Sequence, residues 1–372
     1  VRRARKRSRA DAAIGILPGR NIWSEGIESR SEIRGPDQRA GYENLRRAAA
    51  QYRTPSFTRS LSQIISSFGG FFAACAAMYA LWDVSYAITL ALSPLAGGFL
   101  VRVFIIQHDC GHRAFFRSAR ANNILGFVCS LLTLTPYTAW RRQHAAHHGI
   151  WNDLDRRQSG VDLYANCLTV AEYHALNGRQ RFWHRFTRHP LFANLILPPF
   201  VFLLFYRFPI DMPKSWRVER RLVHLTSLII FAGLASLGLL LGYAHVAVVQ
   251  FSAMAFTAII GVWLFSVQHR GEQTEWSRHD TWDATRAALQ SSNFLRLPRI
   301  LQWFTGNIGF HHVHHLNSQI PNYRLQECHE AIAELHNVRP MSLREGFTAM
   351  RMTLWDEDRG RMVTFQDATV GR

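Results

Sequence analysis

The chain has 372 residues, 48% of them apolar, and a formal net charge of +17. A soluble basic protein rarely combines so much of both, so the placement of the apolar residues decides the class. Cys75, Cys110, Cys129, Cys167 and Cys328 are scattered and form no CxxC pair, which excludes a disulfide framework or zinc ribbon and implies a reducing compartment.

Residues 1–59 begin with Arg2, Arg3, Arg5, Lys6, Arg7 and Arg9 and contain no sustained apolar stretch, so no secretory leader is expected. The polar run to about residue 45 is expected to be disordered or adsorbed on a membrane surface, or simply to reinforce orientation. Ser60–Trp82, Val84–Val101 and Leu222–His269 then contain no Asp, Glu, Lys or Arg. About 20 apolar residues cross a bilayer core, so the long third stretch divides into two spans at a turn over Gly242–His245. The expected fold is an all-α integral membrane protein with four transmembrane helices, about 60–82, 84–107, 222–241 and 246–269, in two hairpins. Interfacial helices and a cytoplasmic helical cap complete a domain over 60–335, followed by a cytoplasmic tail, 336–372.

Both hairpin turns, Trp82–Tyr86 and Gly242–His245, lack Lys and Arg, whereas every other extramembrane segment is rich in them. The positive-inside rule therefore puts the turns outside and the N-terminus, middle and C-terminal regions in the cytoplasm. Topology and anionic headgroups account for the basic charge without nucleic acid. Ala121–Trp140 and Leu191–Tyr206 are apolar but have arginines on both flanks, so both are expected to lie in the interface or re-enter.

Eighteen histidines are present, and eight fall in three clusters: His108 and His112; His144, His147 and His148; His311, His314 and His315. Residues three and four apart share a helix face, so each cluster presents its imidazoles together. His312 lies off that face. His184, His224 and His245 are read as surface or capping residues. Counting down each hairpin from its outer turn, His108 and His269 emerge at the cytoplasmic ends of the second and fourth helices, where the other clusters can meet them. Eight or nine nitrogens exceed one zinc site and suit two metal ions with positions open to oxygen, and no HExxH motif is present. Asp109, between two of these histidines, either supports a ligand from behind or faces solvent.

The segments HDCGH at 108–112, HAAHH at 144–148 and HHVHH at 311–315 resemble the three histidine boxes of membrane fatty-acid desaturases. The flanks WRRQHAAHHGIWNDLDRR, VQHRGEQTEWSRHDTWD and NIGFHHVHHLNSQIPNYRL look like bacterial acyl-lipid desaturases of the omega-6 (delta-12) type. The resemblance spans roughly residues 60–335. It implies that His108, His112, His144, His147, His148, His311, His314 and His315 bind two irons, with His269 as the further histidine near the fourth helix. It also implies an O2-dependent reaction that removes two hydrogens from neighbouring acyl carbons to leave a cis double bond. The chain contains no nucleotide fingerprint or cysteine cluster, so electrons are expected from a ferredoxin or a cytochrome b5-like donor, for which a basic surface is suited. A hydroxylase or ketolase acting on a lipid, sterol or carotenoid would share every ligand. A haem carrier would need paired histidines inside the bilayer, and a metal transporter a polar membrane interior.

Overall fold

The computed structural model describes residues 36–157, 166–210 and 212–369. Helix α1 (Pro36–Ala50) leads into α2 (Phe57–Ala80), α3 (Tyr86–Ala91) and α4 (Ser93–Gly111), the last two forming one span. Next come α5 (Ala119–Leu132), α6 (Tyr137–Ile150), β1 (Leu168–Thr169), α7 (Val170–Ala175), α8 (Gly178–Arg188) and α9 (Leu197–Leu203). The second hairpin is α10 (Arg217–Leu241) and α11 (Tyr243–Val267). The remainder comprises α12 (Ala284–Gln290), β2 (Phe294–Leu295), α13 (Arg299–Phe304), α14 (His311–Leu316), α15 (Leu325–Ala331), β3 (Pro340–Met341), α16 (Leu343–Ala349), β4 (Leu354–Asp356) and β5 (Arg361–Val363).

Among the described residues four helices are long and apolar enough to cross a membrane: Phe57–Ala80, Tyr86–Gly111, Arg217–Leu241 and Tyr243–Val267. Ala121–Trp140 divides between α5 and α6 and is not among them. Leu191–Tyr206 forms a pair with α8 that bends by 53°. Its first turn, Phe192–Ile196, is π-helical and leads into Pro198 and Pro199, whose missing N–H groups cannot continue the ladder.

The second hairpin turn is tighter than the expected Gly242–His245. Gly242 alone reverses the chain at φ +89°, a conformation that side chains disfavour, so α11 already begins at Tyr243. The two hairpin turns meet: the Trp82 ring lies 4.3 Å from that of His245 and 5.3 Å from Tyr86. Their far ends therefore also share a side, which places the ends of α4 and α11 together. Between those helices Gly97 permits close approach, since a Cβ there would lie 2.7 Å from Phe256 Cβ, and Thr257 Oγ1 donates to the Gly97 carbonyl. Small residues at such contacts are how membrane helices associate without a hydrophobic driving force.

Two expectations need correction, and the tail gains a structure. The polar N-terminal run is helical from Pro36, and Leu45 and Ala49 of α1 are buried in the core with Val101, Ile105, Val313 and Leu316. Its apolar spacing was masked by the surrounding arginines; residues 1–35 lie outside the described residues. The tail from 336, for which the sequence suggests only a cytoplasmic location, is folded through 369: β3 pairs in parallel with β2, and β4 joins β1 and β5 in a three-stranded sheet whose Leu354, Met362 and Val363 are buried. His184 is tucked against the rings of Tyr173 and Phe365, where that sheet packs on α7 and α8, so it is not a surface residue.

Candidate metal centre

The histidines come from four separate pieces of chain. His108 lies in the last turn of α4, and His112 caps that helix. Arg113 adopts φ +58° directly afterwards and turns the chain away. His144, His147 and His148 share a face of α6, and α14 supplies His311, His314 and His315. His269 follows the end of α11.

The ring nitrogens form two groups. His108, His112, His144, His148 and His314 offer atoms all within 4.8 Å of one another, and His147, His269 and His315 do likewise. His311 joins the second group, its Nε2 lying 3.0 Å from Nε2 of both His269 and His315. The remaining contacts are similar: His147 to His269 at 3.1 Å, His148 to His144 at 3.2 Å and His314 to His148 at 3.0 Å, each between Nε2 atoms.

Protons cannot satisfy this arrangement. A neutral imidazole nitrogen carries either one N–H or one lone pair. His269 Nδ1 lies 3.2 Å from the Ser291 carbonyl and must donate to it, which leaves Nε2 as a lone pair facing both His147 and His311. His311 Nε2 then cannot bond both His269 and His315, so at least one 3.0 Å contact has no proton between its nitrogens. A cation removes the conflict. Two nitrogens each about 2.0–2.1 Å from one metal, at tetrahedral or octahedral angles, stand roughly 2.9–3.4 Å apart, the spacing seen here. His112 Nε2 is likewise buried without a protein partner.

Burial keeps seven of the imidazoles unprotonated. It holds His112, His144, His148, His269, His311, His314 and His315 well below the usual histidine range, with neighbouring imidazoles adding to the effect. Neutral rings are the form that binds metal.

Asp109 resolves to the inward alternative. It is 2% exposed; Oδ1 lies 3.2 Å from His108 Nδ1, and Oδ2 accepts from the Asn322 backbone N–H at 2.7 Å and its Nδ2 at 2.8 Å. The carboxylate thus draws the His108 proton to Nδ1 and frees Nε2 for the cluster. Trp140 stacks on His144 at 4.7 Å, and Trp151 lies 4.4 Å from His315. His312 turns away and pairs through Nε2 with His329 Nδ1 at 2.9 Å. His224 is exposed, and His245 sits beside the opposite turn. Asn322 and the Ser291 carbonyl have no role in the sequence reading. Asn322 lies in a quoted flank, NYRL, but nothing in its spacing pointed to Asp109, and a backbone carbonyl leaves no mark in a sequence.

A cleft of about 390 Å³ opens beside His112 and is walled in part by Arg113, Arg141 and Arg142.

The family described as fatty acid desaturase matches residues 84–344. A fatty acid desaturase of Bacillus subtilis is 40% identical over 322 residues, covering 87% of this chain and 90% of that protein. The sn-1 oleoyl-lipid 12-desaturase of a Picosynechococcus species is 27% identical, covering 70% and 74%. A Synechocystis protein named sn-1 acyl-lipid omega-3 desaturase (ferredoxin) is 28% identical, covering 62% and 63%.

Proposed function

The chain belongs to the fatty acid desaturase family of oxidoreductases and is an integral membrane protein; on that premise we propose that it introduces a cis double bond into the acyl chain of a membrane lipid, as an omega-6 (delta-12) type enzyme. The observation that carries the reading is the convergence of the two histidine groups at the ends of α4 and α11. Two irons are the proposed occupants, held by His108, His112, His144, His147, His148, His269, His311, His314 and His315. When bound, they would supply the activation of O2 that an unactivated methylene demands, which acid and base side chains cannot provide.

The rest is done by the chain's own residues. Asp109, held by Asn322, fixes the ring of His108, and the Ser291 carbonyl fixes that of His269, so neither ligand has to be ordered during turnover. Phe265 packs against both His147 and His269, and Trp151 against His148 and His315, keeping bulk water from the second group. Electrons come from a ferredoxin or cytochrome b5-like partner, and the arginine-walled cleft at His112 is a natural approach for an acidic carrier. The ferredoxin in the printed name of the Synechocystis relative supports that class of donor. The lysine and arginine distribution supports a cytoplasmic site in a bacterial inner membrane. The residues from 60 to about 335 form the desaturase domain under this reading.

The test is expression in a host without polyunsaturated lipids, with gas chromatography of the fatty acid methyl esters. A new dienoic acid is expected; a hydroxy acid, or an unchanged acyl profile, overturns the proposal.

A further inference from the structure

A second, larger cavity of about 1430 Å³ lies among the first turns of α2, the middle of α4 and helix α13. Arg102, Arg296 and Arg299 stand on its wall with Ser66, Gln302 and His329. Arg102 belongs to the second span and is 6% exposed. Its Nε donates to Ser67 Oγ at 3.2 Å, a terminal nitrogen donates to the Trp303 carbonyl, and the guanidinium lies 3.7 Å from the Trp303 ring centroid. All these partners are neutral. Among the described residues no carboxylate pairs with Arg102, Arg296 or Arg299. Glu330, the carboxylate on the wall, is placed to accept from Gln326. A guanidinium remains charged in proteins, and a charge buried within a span is costly without a counterion. The cavity therefore has an excess of positive charge that an anion would balance.

Exposed apolar side chains stand beside it. On α13, Ile300, Leu301 and Trp303 are exposed, while Phe304 packs on α4, where a Cβ at Gly98 would lie 3.1 Å from its ring. The helix is thus sunk against a span with its apolar side chains outward, the arrangement of an interfacial helix flanked by arginine. The inner wall reaches the metal centre: Asn322 lines the cavity, exchanges hydrogen bonds with Gln63, and holds Asp109 behind His108.

We propose that this cavity seats the phosphate of an acyl phospholipid, with Arg102, Arg296 and Arg299 as its counterions. The inference rests on the desaturase reading and deepens it: the acyl chain is presented while esterified to a phosphoglyceride. Phosphate is the shared chemistry of such a lipid, of free phosphate and of acyl-coenzyme A; the exposed apolar side chains of α13 beside the cavity select the lipid.

The test is displacement of a fluorescent phosphatidylglycerol from the purified, iron-loaded protein in neutral detergent micelles. The competitors are dihexanoylphosphatidylglycerol, dihexanoylglycerol, inorganic phosphate and oleoyl-coenzyme A. The phospholipid should compete at least about tenfold better than the neutral diglyceride, and the Arg296→Gln, Arg299→Gln double variant should lose about tenfold in its affinity, as expected for lost charge-assisted bonds. Both arginines are exposed, so this variant keeps the test open if Arg102→Gln fails to fold. Equal competition by the diglyceride, or an unchanged double variant, overturns the phosphate site. Inorganic phosphate or oleoyl-coenzyme A competing as well as the phospholipid overturns the lipid as its source. Binding is read without turnover, so failure here leaves the desaturase reading standing, and an unchanged acyl profile in the expression host leaves the binding result standing.

Discussion

The two histidine groups use the same side chain in different surroundings. In the group of His108, His112, His144, His148 and His314, His112 and His148 are only partly buried, a carboxylate stands behind His108, and the cleft walled by arginines opens at His112. In the group of His147, His269, His311 and His315 every residue is buried, a neutral carbonyl stands behind His269, and Phe265 and Trp151 cover rings of the group. One side is built for access and the other for enclosure. A carboxylate partner raises the basicity of a ligating imidazole more than a carbonyl does.

The harshest way to break the comparison is to remove one histidine from each side. His314→Ala and His147→Ala should each abolish the dienoic product in the expression assay and lower bound iron, and iron that survives either change undiminished would place that ring outside the centre. Asp109→Asn keeps the size of the side chain but loses its charge. A loss of about 10–100-fold in activity or metal affinity is expected, as for partners behind metal-bound histidines elsewhere. Chelation kinetics sharpen the contrast: iron should leave in two phases, the fast one from the His112 side, and a single phase would erase the difference between the groups.

Acid provides a further probe. Burial lowers the folded-state affinity of seven of these imidazoles for protons, while the unfolded chain binds protons near pH 6.5. Below that pH the unfolded state binds more protons, so the metal-free protein should be most stable above about pH 6.5 and lose stability as pH falls through it. Thermal unfolding of the iron-stripped protein between pH 8 and 5.5 should show the midpoint falling toward acid; a flat profile counts against burial of neutral rings. The smallest effect is expected for His312→Ala, which breaks the pair with His329 and leaves every Nε2 contact of the two groups in place, so bound iron should hardly change.

The histidine groups were legible because ligand spacing on a helix is a local property: His144, His147 and His148 share a face in any helix that contains them. Their convergence was legible because span length is a physical ruler, and it put His108 and His269 at matching depths. The contacts between distant segments were not. Nothing local links Asn322 to Asp109 or the Ser291 carbonyl to His269, because those pairings depend on how the cap folds over the spans. The burial of α1 and the folding of the tail were hidden for a related reason. Leu45 and Ala49 are too few to stand out among arginines, and β1 and β4 are short strands that form by pairing across half the chain.

Iron content measured by plasma mass spectrometry on purified wild-type protein, beside His269→Ala, tests the central claim most directly. The account predicts two irons per chain in the wild type and a clear loss in the variant. A single metal per chain, zinc in place of iron, or a variant that retains the full complement would contradict it.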